Sequence, residues 1–134
     1  MMTDEQKYEY WLDIAEYDLA TANALHESGR WLYVLVMCQQ AVEKLVKGLY
    51  TLYVDDNVPR IHDITKLFKC FENKLAISVP DERFAFFNEL SQYYLNNRYP
   101  EFISKLSSQI NEAEAHSILI KTEEAFSWLL TLKP

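Results

Sequence analysis

No apolar run in this sequence is long enough to cross a bilayer. The longest uncharged apolar stretch, Trp31 to Cys38, falls well short of the roughly 20 residues a membrane helix needs. No basic-then-apolar leader opens the chain, so a cytoplasmic protein without membrane contact is expected. Cysteine is scarce as well. Cys38 and Cys70 each sit in an apolar helical pattern that suits a small buried thiol. A disulfide between them is unneeded in a domain of this size, and cytosolic thiols are kept reduced. Two cysteines without a CxxC and three scattered histidines argue against a structural zinc site. Nothing in the sequence implies a cofactor. Basic charge is also short: 13 Lys and Arg face 20 Asp and Glu, for a net charge of −7. Such a chain repels phosphate backbones at long range, which disfavours non-specific nucleic-acid binding. The deficit is uneven, however. From Lys44 to Lys74 there are six basic and four acidic residues, a local balance of +2, and the other residues carry −9. An anionic ligand should prefer the middle of the chain.

Hydrophobic residues make up 49% of the 134, enough for one domain to close a core without staples. Only Gly29 and Gly48 are glycines, and Pro59, Pro80 and Pro100 are the internal prolines, which punctuate helices. The first helix is expected from about Asp4 to Ser28. Trp11, Ile14, Ala15, Ala22 and Leu25 line one face of it. Thr3 or Asp4 can cap that helix, and Gly29 fits the left-handed position that closes it. Asp18 falls on the same apolar stripe and must reach water or a partner. A second helix, from about Trp31 to Val54, is apolar nearly all round in its first half, the mark of a central helix. A short third helix follows Asp63 as N-cap, with Ile64, Leu67, Phe68 and Phe71 inward. Asp81 can cap a fourth after Pro80, which carries Phe84, Phe87, Leu90 or Ser91, and Tyr94 on one face and stops near Arg98 before Pro100. Residues 101 to 111 read as an irregular or weakly helical connection, and a last helix covers about Glu112 to Leu132. No segment alternates with a period of two. The expected fold is all-α, a single-domain five-helix up-and-down bundle over residues 1 to 134, with two long antiparallel N-terminal helices.

Three pieces in order resemble the HEPN domain family. They are Trp11-Leu12 with Ala15 and Asp18-Leu19; Gln39-Gln40-Ala41-Val42-Glu43-Lys44-Leu45-Val46-Lys47, followed by His62-Asp63-Ile64 and Leu67; and Tyr93-Tyr94 running into Asn97-Arg98-Tyr99-Pro100. The match spans roughly residues 8 to 130. The resemblance implies a prokaryotic helical bundle, often a homodimer, commonly made beside a minimal nucleotidyltransferase and in some pairs acting as toxin and antitoxin. Several branches of the family are metal-independent ribonucleases that carry an arginine followed after four to six residues by a histidine. Here Arg98 is the candidate arginine, and none of Ile103, Ser104, Lys105 and Leu106 downstream of it is histidine. The RNA-cleaving motif is absent as written.

The residues that bear chemistry admit more than one reading. Gln40, Glu43, Lys44 and Lys47 recur at helical spacing, either as a polar wall of a cleft or interface or as a solvated face with ordinary i,i+4 pairs. Arg98 beside Tyr99 and Pro100 stands at a fixed corner. It either grips a carboxylate or phosphate with two parallel hydrogen bonds or clamps Asp18 or Glu43. His62 next to Asp63 suits proton transfer, although Asp63 is also explained as a cap. His26 and His116 show no partner pattern and read as surface or packing residues. Most of the aromatic residues lie on core stripes, and Tyr93, Tyr94 and Tyr99 near Arg98 are the exceptions that suit stacking. The candidate ligand or interface set is therefore Asp18, Gln40, Glu43, Lys44, Lys47, His62, Asp63, Tyr94, Arg98 and Tyr99, with no catalytic residue and no metal ligand assigned. Three functions compete: a homodimeric module partnered by a minimal nucleotidyltransferase, a nucleotide- or anion-binding domain, and a ribonuclease built on a displaced constellation such as Arg98 with His62 or His116.

Overall fold

A computed structural model describes residues 1–94 and 100–134. Among these the order is α1 (Asp4–Glu27), α2 (Trp31–Tyr53), α3 (Ile64–Lys69), a 3-10 turn (Glu72–Lys74), α4 (Asp81–Ser91), α5 (Pro100–Gln109) and α6 (Glu112–Leu130), with no strand among the described residues. The all-α expectation holds, but the described residues form six α-helices rather than five. The stretch read as irregular or weakly helical contains α5, a regular helix over most of its length. Pro100 sits in its first turn, where the missing N–H costs nothing. Ile103, Leu106 and Ile110 recur at helical spacing and are half-buried, yet no residue of α5 is fully buried.

Local chemistry sets the ends of α1. Thr3 and Gln6 form a reciprocal capping box. At the other end Gly29 has φ 76°, with Arg30 N–H donating to Leu25 O and Gly29 N–H to His26 O. That pair of bonds is a Schellman closure, which needs the left-handed conformation glycine allows. The closure turns the chain back, so α2 runs antiparallel to α1. Tyr8 and Trp11 meet Gly48 near one end, and Asp18 meets Lys44 further along. At Gly48 the two helices are so close that a Cβ would stand 3.0 Å from Trp11 Cβ.

The core centres on α2, whose Val34, Leu35, Cys38, Ala41, Val42, Leu45, Val46 and Leu49 are buried. Helices α1 and α6 cover two of its sides, and α3 and α4 lie against a third, bringing Phe68, Phe71, Phe87 and Leu90 inward. Helix α4 ends at Ser91 instead of running on toward Arg98. Its last N–H groups fold into tighter i→i+3 bonds at Gln92, Tyr93 and Tyr94. Asp81 is the first helical residue rather than the cap, a place held by Pro80. Cys38 is buried and Cys70 is exposed, and both are free thiols. The exposure of Cys70 corrects the expectation of two buried thiols. It stands at the C-cap of α3, while its neighbours Phe68 and Phe71 turn to the core.

Candidate functional site

Gln39, Glu43 and Lys47 stand four residues apart on α2, which stacks them along one flank of the helix. All three are buried, with Glu43 only 3% exposed. A carboxylate in that position is tolerable only with charge compensation and hydrogen bonds, and Glu43 has both. Gln39 Nε2 donates to its Oε1 at 2.7 Å and Lys47 Nζ to its Oε2 at 2.9 Å. The third partner comes from the segment before α3. His62 Nδ1 lies 3.1 Å from both carboxylate oxygens. Gln40 closes the chain of contacts by donating to Gln39 Oε1 at 2.7 Å.

Pinning Nδ1 fixes the rest of the imidazole. With Nδ1 directed at the buried carboxylate, Nε2 points away from it, and the His62 side chain as a whole is 35% exposed. Tyr94 stacks on the imidazole with ring centroids 3.7 Å apart and planes 17° from parallel. These two rings form part of the wall of an open groove of about 610 Å³, lined also by Arg60, Asp63, Lys66, Asn88 and Ser91. Its framework is tied together by short bonds. Asp63 Oδ1 accepts from Lys66 N–H at 3.1 Å as the cap of α3. Ser91 Oγ accepts from Ile64 N–H at 3.0 Å and donates to Phe87 O at 2.8 Å, so α4 is fixed to the start of α3. Among the described residues Arg60 and Lys66 have no carboxylate partner. Arg60 also borders a second cavity of about 390 Å³ that includes Tyr10, Trp11 and Lys47, and there Lys47 Nζ lies 6.0 Å from the Trp11 ring centroid.

The model of the HEPN domain family matches residues 8–132 of the sequence. The chain belongs to the HEPN domain family. Two solved structures share its fold. The structure of TT1696 from Thermus thermophilus is 21% identical with a TM-score of 0.76, and the match covers 93% of this chain and 97% of that one. ST0689, described as an archaeal HEPN homologue, is 20% identical with a TM-score of 0.73, covering 95% of this chain and 98% of that one. A comparison with curated proteins gives no significant match.

Within this HEPN chain the polar ridge on α2 divides in two. Glu43 and Lys47 join His62, whereas Lys44 reaches across to α1 and holds Asp18 at 2.5 Å. Asp18, on the apolar stripe of α1, thereby gains its partner while staying 6% exposed. Both lysine ammonium groups of the ridge are thus engaged by carboxylates, and among the described residues the Lys and Arg side chains that line the groove are Arg60 and Lys66. Arg98 and Tyr99 lie outside the described residues. Gln39, Arg60 and Lys66 were not among the sequence candidates. The spacing of Gln39 to Glu43 and Lys47 was the available signal for the first, and the locally basic middle of the chain for the other two. No helix among the described residues is long and apolar enough to cross a membrane, and no group of three or more His, Cys, Asp or Glu among them is placed to hold a metal ion.

Proposed function

We propose that this chain is a HEPN module that binds a phosphate-bearing ligand, a nucleotide or a short RNA segment, in the groove beside His62, and that it does so without cleaving RNA. The observation that carries this reading is the placement of Arg60 and Lys66, free of carboxylate partners among the described residues, in a groove walled by the stacked His62 and Tyr94. A guanidinium and an ammonium answer a phosphate in different ways, the first with a planar fork and the second as a point charge. Tyr94 and His62 supply an aromatic surface beside them. The buried Glu43 holds the imidazole in one orientation before any ligand arrives, which lowers the ordering cost of binding. The test is calorimetric titration with ATP, GTP and dinucleotides. Arg60→Ala and Lys66→Ala should each weaken binding without loss of the fold, and a lack of heat with every ligand would refute the reading.

We further propose a working form, a homodimer partnered by a minimal nucleotidyltransferase as one half of a toxin–antitoxin pair, a reading that rests on the family resemblance alone. Co-expression with such a protein encoded nearby is the check. Separate elution of the two would remove the partner from the proposal.

One observation favours a ribonuclease reading instead. An imidazole held through Nδ1 by a carboxylate, with Nε2 directed away from that carboxylate, is the arrangement a general base needs, and the neighbouring cations suit the negative charge of a pentacoordinate phosphorus. Incubation with total RNA decides between the two. Cleavage lost in His62→Gln would establish the second reading, and an unchanged RNA profile would retire it.

A further inference from the structure

Lys47, the partner of Glu43, lines the second cavity, of about 390 Å³, together with Tyr10, Trp11, Thr51, Asn57 and Arg60. Lys47 Nζ and His62 Nδ1 stand 2.9 and 3.1 Å from the same oxygen of Glu43, so one buried carboxylate holds a side chain in the wall of each cavity. Arg60 belongs to both walls. It is exposed and has no carboxylate partner among the described residues. The groove and the second cavity are therefore neighbours across a free guanidinium. Each lies in the volume range of small-ligand pockets, about 300–1,000 Å³.

The lining of the second cavity suits a flat, polar-edged ring. Tyr10 and Trp11 stand 6.2 Å apart between centroids with planes at 79°. Their rings form a corner in which a planar group can stack on one ring and meet the other edge-on. Tyr10 is 58% exposed, so its face is open to a ligand. The Asn57 side-chain amide, a donor and an acceptor at once, makes no hydrogen bond among the described residues. Thr51 Oγ1 donates to Gly48 O at 2.6 Å and keeps its own acceptor capacity. Asp56, the carboxylate on this lining among the described residues, is neutralised by Lys7 at 2.9 Å. We propose that the ligand of the groove is a single strand of two or more nucleotides. Its linking phosphate meets Arg60, one nucleoside lies beside His62 and Tyr94, and the next base enters the corner of Tyr10 and Trp11, with Asn57 at its edge. This rests on the phosphate-binding reading of the groove and adds to it the length of the ligand, since a mononucleotide can place a base in only one of the two cavities.

The experiment uses the full chain and calorimetric titration with ADP and with the 5′-phosphorylated adenosine dinucleotide in its ribose and deoxyribose forms. ADP carries about the same charge as the dinucleotide, so it controls for simple electrostatic attraction. In at least one sugar form the dinucleotide should bind about tenfold or more tighter than ADP, the scale of one stacked base, and the form that gains identifies the sugar. The double variant Tyr10→Ala/Asn57→Ala changes two exposed side chains. It should remove most of that advantage and leave ADP binding unchanged, which also establishes that the variant is folded. Equal affinity for ADP and both dinucleotides, or an advantage undiminished in the double variant, would overturn the proposal and leave the groove reading standing. Absence of binding by ADP and dinucleotide alike would overturn both.

Discussion

Replacing Glu43 by alanine is the most informative perturbation of the buried network. It removes the carboxylate that holds Lys47, Gln39 and His62 together and leaves behind an ammonium whose side chain is only 10% exposed and an amide that is fully buried. Breaking a buried pair from one side costs about 3–5 kcal/mol, because the remaining charge is uncompensated. A domain of this length has roughly 7–20 kcal/mol of stability in total, so the variant loses a large share of it. With an unfolding entropy of about 2 cal/mol/K per residue, the same loss lowers Tm by roughly 10–18 °C. The companion variant is Lys47→Met. Combined with Glu43→Ala it removes the stranded ammonium, and the double variant should recover about 1–3 kcal/mol relative to the sum of the two single losses. Urea and thermal unfolding followed by circular dichroism measure all four proteins. A loss below about 1 kcal/mol for Glu43→Ala, the scale of an exposed i,i+4 pair, or strict additivity in the double variant, would refute a tightly coupled buried site.

Four further outcomes follow from the packing, the ion pairs and the thiols. Gly48→Ala gains about 1 kcal/mol of helix propensity, but its Cβ would stand 3.0 Å from Trp11 Cβ and 3.3 Å from Tyr8 Cδ2. Overpacking at about 1–3 kcal/mol wins, and a lower Tm is expected. Asp18→Ala strands Lys44, whose side chain is 24% exposed and still reaches water. Its cost should therefore be smaller than that of Glu43→Ala, about 1–2 kcal/mol by the same unfolding assay. Burial raises the Cys38 thiol from 9.0 to about 11. An alkylating reagent at neutral pH should modify Cys70 alone until the chain unfolds. Because the folded value is the higher one, the associated stability is intact below pH 9 and is lost as pH rises toward about 11, which urea unfolding at about pH 8 and about pH 10.5 would show.

Much of the bundle was legible because helical spacing and caps are local properties. The Thr3 cap, the Gly29 closure and the Asp63 cap are all readable within a few residues. Helix α5 was read only as an irregular or weakly helical connection, for a physical reason. Its apolar residues are only half-buried, so its pattern is diluted by serines and a lysine, and tertiary contact with α2 supplies what propensity does not. The site was harder. Asp18 was recognised as needing a partner from its place on an apolar stripe, but the identity of that partner depends on how α1 and α2 are rotated against each other. Lys44 and Lys47 differ by less than one turn, yet they end on carboxylates of different helices. Gln39 was hidden by its position inside an apolar run, where a glutamine looks incidental until Glu43 is found four residues on. The meeting of His62 with Glu43 joins α2 to a loop, and no local pattern encodes it.

The most direct measurement is a titration of the isotope-labelled chain with ATP, followed by nuclear magnetic resonance of the backbone amides and histidine rings. Saturable shifts should concentrate at Arg60, His62, Lys66, Asn88 and Tyr94, and Arg60→Ala should require more ATP to reach them. Shifts that are absent, or that gather on a face remote from these residues, would contradict a phosphate-binding groove held in place by Glu43.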